Sequence, residues 1–119
     1  MTKKYEKTKK MKTTKEVAID FFRVILSVMA KNSSKSYALI VLKNIQKTLI
    51  KDFKFFKLVK VSDSTIKVDD MINSIDTKSI RALFIKVIDI LGPNLLKLVI
   101  KERLDSEDIK YLNRIGVRF

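Results

Sequence analysis

FFKLVKVSDSTIKVDD, residues 55–70, is where the chain loses its helical rhythm. The stretch is rich in Val, Ile, Phe and Thr, residues that suit a pleated and half-buried surface. Its partial alternation predicts two strands, Phe55–Val61 and Thr65–Val68, joined by a turn at Ser62-Asp63-Ser64. Two strands alone are marginal in water and need helices to pack on. The segments on either side supply them. The expected fold is therefore α+β and mostly helical: two N-terminal helices, a two-stranded antiparallel β-hairpin, then three C-terminal helices.

Before the hairpin, Thr13 or Thr14 offers a cap, with Glu16 beside it to complement the helix dipole. A first helix is expected from about Glu16 to Ala30. Its polar residues Glu16, Asp20, Arg23 and Ser27 recur at spacings of four, three and four, which makes one narrow stripe. Val17, Phe21, Phe22, Val24, Ile25, Val28 and Met29 fill the rest, so this helix belongs at the centre of a core or at a subunit interface. The NSSK stretch, residues 32–35, reads as a short loop with a serine cap, followed by a second helix from about Ser36 to Asp52. Lys43, Lys47 and Lys51 share one face of it at i, i+4, with Leu39, Ile40 and Ile50 close to that line as a second contact surface.

After the hairpin, Asp76 caps a helix over Thr77–Leu91, where Ile80, Leu83, Phe84, Val87, Ile88 and Leu91 follow the apolar helical template throughout. Gly92-Pro93 ends it and begins a fourth helix over Asn94–Leu104. Asp105 or Ser106 caps a last one over Glu107–Ile115, closed by Gly116, with Val117-Arg118-Phe119 expected to pack. These closely spaced helices do not read as helix-turn-helix. The fourth is apolar at Leu95, Leu96, Leu98, Val99 and Ile100, where a recognition helix needs a polar face.

With 119 residues, 46% of them hydrophobic, the chain has material for one core; residues 1–13 are expected to form a flexible basic tail and residues 14–119 a single α+β domain. Cysteine and histidine are both absent. Thiolate and imidazole metal ligands, disulfides and Ser–His or Cys–His machinery are excluded with them. No Gly-rich phosphate loop occurs, and adjacent Asp69 and Asp70 in a strand would point to opposite faces rather than chelate one ion. Glu102, Asp105, Glu107 and Asp108 read as helix-terminus chemistry. Neither a cofactor, a metal nor a catalytic residue is expected, and the chain does not read as an enzyme.

The formal net charge is +13, and it is unevenly spread. Residues 1–15 carry seven Lys and one Glu, a net +6; residues 31–60 carry eight Lys and one Asp, a net +7. Residues 61–119, with ten basic and nine acidic groups, contribute +1. A compositional lysine bias would spread more evenly. The concentration points to a polyanion, DNA or RNA, met through sequence-independent phosphate contacts. The candidate contacts are Lys3, Lys4, Lys7, Lys9, Lys10 and Lys12 in the tail, and Lys43, Lys47, Lys51, Lys54, Lys57 and Lys60 beyond it. Phe53, Phe55 and Phe56 alternate with the last group; buried, they are core, and exposed, they would stack on bases. The competing reading is a protein-interaction or regulatory module whose apolar helix faces engage a protein partner or a second copy in a homodimer, and whose lysines are an incidental, solvated surface. No run is long enough to span a bilayer, no secretory signal is visible, and a cytoplasmic location is expected.

Overall fold

The computed structural model describes residues 12–62, 65–92 and 100–117. Helix α1, Thr14–Asn32, begins with a reciprocal capping box: the Thr13 hydroxyl accepts from the Glu16 backbone N–H and the Glu16 carboxylate accepts from that of Thr13. Thr13 and Lys12, assigned to the tail by sequence, thus make contacts within the fold. Val17, Ala18, Phe21, Phe22 and Ile25 are fully buried, which puts α1 at the centre of the molecule as its apolar circumference requires. Helix α2, Lys35–Leu49, follows a two-residue link whose Ser34 hydroxyl accepts from Tyr37 N–H, and it packs along α1. It stops three residues before the expected Asp52, because the Leu49 carbonyl takes both the Asp52 and Phe53 N–H groups and turns the chain back.

The hairpin is present but shorter than the sequence suggests. β1 is Val59–Val61 and β2 is Ile66–Val68, antiparallel, with Val59 opposite Val68, Lys60 opposite Lys67 and Val61 opposite Ile66. Val59, Ile66 and Val68 face inward onto the core, while Lys60 and Lys67 face out. Residues Lys54–Leu58, of which Phe55–Leu58 is expected as the start of the strand, form a 3-10 turn instead. The reason lies in the pattern: a strand would put Phe56 and Lys60 on the same face, whereas a three-residue period buries Phe56 and lets Lys54 and Lys57 stand out together.

A second 3-10 turn, Asp70–Ser74, is capped by the Asp69 carboxylate accepting from Met71 N–H. Helix α3 covers Thr77–Leu91 as expected, with Asp76 accepting from Ser79 N–H. The expected Asn94–Leu104 helix lies mostly outside the described residues; of it, residues 100–103 are helical, and Ile100 is buried. Helix α4, Ser106–Ile115, starts at Asp105, which accepts from Asp108 N–H, and ends at Gly116 in the left-handed region (φ 103°, ψ 11°). Val117 then folds back, buried, with its N–H on the Leu112 carbonyl. The architecture is thus a mostly helical α+β fold.

Four buried rings tie its parts together. Phe21 stacks on Phe84 of α3 at 4.3 Å between centroids, Phe22 meets Phe84 edge-on at 5.9 Å, and Phe22 stacks on Phe56 at 5.5 Å. One aromatic cluster therefore joins α1, α3 and the segment leading into the hairpin.

Candidate functional site

The lysines of the middle segment are placed by three short-range decisions. In α2, Leu42, Ile45 and Leu49 are buried, so the helical period turns Lys43 and Lys47 to the outside, and both are exposed, as is Lys51 in the turn that follows. Gln46 sits at the border of these two faces. Its side-chain amide donates to the carbonyls of Phe56 (2.8 Å) and Val59 (2.6 Å), clasping α2 to the chain that enters β1. Lys43 and Lys47 stand about 60° and 100° around the helix from Gln46, on the side away from the core. Lys54, Lys57 and Lys60, on the segment that Gln46 ties to α2, are exposed as well.

Lys67, which sequence reasoning did not select, joins this group because it is the cross-strand neighbour of Lys60. Like charges directly opposite on a sheet repel. Among the described residues none of Lys43, Lys47, Lys51, Lys54, Lys57, Lys60 and Lys67 makes an ion pair. The sole acid between residues 31 and 62 is Asp52, which is exposed. Phe56 is core, and Phe53 and Phe55 are half-buried against one another edge-to-face at 6.1 Å, so these rings are not an open stacking surface. Removing the clasp should be measurable. Gln46→Ala takes this donor from two partly buried carbonyls, of which that of Phe56 keeps the Val59 N–H, and is expected to cost about 1–3 kcal/mol in denaturant unfolding. A loss below about 0.5 kcal/mol would mean the amide does not hold the seam.

Of the tail candidates, Lys3, Lys4, Lys7, Lys9 and Lys10 lie outside the described residues. Lys12 is described, and its ammonium is engaged within the fold. It donates to Asp20 (2.8 Å) and Asp105 (2.6 Å) and stands 3.3 Å from Asp108 Oδ1. Burial works against its charge, but the hydrogen bonds to Asp105 and Asp20 outweigh that and hold its pKa above the ordinary lysine value. The Lys12 bond and the Asp108 backbone N–H keep Asp105 below the usual carboxylate range. Asp108 goes the other way. Only 2% exposed, with no hydrogen bond to its Oδ1, it is pushed up to about 7 by burial first and by the adjoining Asp20 carboxylate second.

One oxygen from each of Asp20, Asp105 and Asp108 lies within 4.8 Å of the others, a spacing hard cations use, and the Lys12 ammonium stands among them. Beside this cluster Thr14 and Tyr111 share a buried hydroxyl–hydroxyl hydrogen bond, and farther along α1 the Arg103 guanidinium donates to Ser27 at 3.0 Å. The polar stripe of α1 is thus the line on which the C-terminal segment docks. That role was not read from sequence, although a carboxylate on an otherwise apolar helix was the signal. Asp69 and Asp70 do not act as a pair: Asp69 caps a turn and Asp70 takes Lys15 at 2.6 Å.

Among the described residues no helix is long and apolar enough to cross a membrane. No protein-family model matches the chain, and no match was found to a curated protein or to a solved structure.

Proposed function

We propose that the protein binds nucleic acid without sequence preference, through phosphate contacts made by Lys43, Lys47, Lys51, Lys54, Lys57, Lys60 and Lys67. One observation supports this above the others: these cations are exposed and unpaired among the described residues, along a face whose backbone is clasped by Gln46. Two lysines held directly opposite each other on a hairpin repel, and a bound phosphate between them reverses the sign of that interaction. A set of such cations acts by releasing the counterions condensed on a nucleic acid, so affinity falls linearly with the logarithm of salt concentration.

The test is a titration of binding against salt for the whole chain and for the Lys43→Gln/Lys47→Gln/Lys51→Gln variant. Each exposed lysine that meets a phosphate contributes about one unit of the slope of log K against log salt, so the variant should flatten it by about 2–3 units. Deleting residues 2–11 reports the share of the tail lysines on the same scale. Binding that ignores salt, or no binding at low salt, would remove this reading. A second reading, a protein-interaction module, draws on Met71 and Ile90, which are 65% and 49% exposed. It predicts self-association or capture of a protein partner that survives the lysine substitutions.

A further inference from the structure

The basic face carries an apolar feature that phosphate binding does not use. Tyr37 is 58% exposed, the one exposed aromatic among the described residues, and Ile40 beside it is 56% exposed. Both stand on α2, three residues apart, and Ile40 falls within about 20° of Lys47 around the helix, with Tyr37 about 80° from Lys47. Tyr37 thus heads the same outer arc that the lysines occupy. From Tyr37 to Lys47 this arc runs about 15 Å along the helix.

The surroundings of Tyr37 are built for a negative visitor. Its backbone is held in place by the Ser34 cap, and its hydroxyl makes no hydrogen bond among the described residues. The first turn of α2 has no acidic residue to offset the positive end of the helix dipole, and Lys31 and Lys35, both exposed, bracket the Ser33-Ser34 link. An exposed ring adds nothing to the core. On a duplex it would gain little either, because paired bases hide their faces in the stack. An unpaired base offers its π-face to an aromatic side chain, worth about 1–3 kcal/mol per base.

Resting on the reading that this face takes a polyanion, we propose that its ligand is single-stranded nucleic acid and that Tyr37, backed by Ile40, is the platform on which an unpaired base stacks. The lysines then follow the backbone of the same strand along α2 and into the hairpin. Charge complementarity selects the strand over an uncharged apolar partner, and the exposed ring selects the strand over a duplex.

The experiment measures binding of the full chain at one low salt concentration to three probes: an oligothymidylate of about ten nucleotides, an abasic strand of equal length and charge, and a duplex of equal length. Tyr37→Ala should weaken the base-bearing strand about 5- to 150-fold while changing the abasic strand and the duplex less than about twofold. Tyr37→Phe, which keeps the ring, should bind as the parent does, and circular dichroism should show α2 intact in both variants. Equal weakening on the base-bearing and abasic strands, or no weakening on either, overturns the stacking role while leaving phosphate binding standing. If Tyr37→Ala alters self-association and not strand binding, the face is a protein interface and the proposal falls. If the parent protein binds none of the three probes, the polyanion reading itself has failed, which the parent titration shows before any variant is compared.

Discussion

Phe84→Ala is expected to lower the unfolding free energy by about 3–5 kcal/mol. Phe84 is fully buried, stacks on Phe21 and meets Phe22 edge-on, and through Phe22 it is joined to Phe56. Truncation removes the ring through which α3 joins that cluster. Close packing around the site lets the neighbours relax only in part, so a cavity remains beside Phe21 and Phe22. A domain of this length is stable by roughly 6–18 kcal/mol, so the change removes a large share of it and should lower Tm by about 10–20 °C. The same substitution at Phe55, which is half-buried and touches Phe53, should cost less than about 1.5 kcal/mol. Equal losses at the two positions, read by chemical denaturation, would show that the four rings do not form the structural centre.

The parts of this fold that were legible in the sequence are those decided within a few turns of chain. The apolar template of Ile80 to Leu91 and the Asp76 cap define α3 to the residue, and the spacing of Lys43, Lys47 and Lys51 sends all three outward because burying a cation is costly. The 3-10 turn at Lys54–Leu58 was not legible as such. Its residues favour strand, and only the need to seat Phe56 between Phe22 and the hairpin makes the period three. The contacts of Lys12 were hidden for another reason. Asp105 and Asp108 lie more than 90 residues away in sequence, and each had a sufficient local explanation at the start of α4. Asp105 does serve as a cap, and it binds Lys12 as well. Tyr37 was not legible as exposed, because tyrosine is intermediate in burial and its place in the first turn of α2 does not decide its side.

The Lys12 cluster makes stability depend on pH in a direction opposite to that of ordinary paired carboxylates. Asp108 retains its proton up to about pH 7 in the folded protein, whereas an unfolded aspartate loses it near pH 4. Between those values the native state binds the extra proton, so the contribution of Asp108 is complete below about pH 4 and is lost as pH rises through 7. The groups facing it are Asp20 and Lys12 across the helix junction and Asp105 on its own helix. Asp108→Asn keeps the shape and remains neutral at every pH. The difference in Tm between this variant and the parent should therefore grow more positive from pH 5 to pH 8. Lys12→Met should show the reverse trend. At pH 8 it leaves three carboxylates without their cation, and the loss is about 2–3 kcal/mol, less than for a fully buried pair because the Lys12 and Asp20 side chains are 24% and 31% exposed. At pH 5, with Asp108 protonated, one negative charge fewer is stranded and the loss is smaller. Tm differences that stay constant between pH 5 and pH 8 for both variants would mean that Asp108 is ionised throughout. The Lys12 ammonium would then hold the junction between α1 and the C-terminal helix through Asp20 and Asp105, with Asp108 as a third anion beside it.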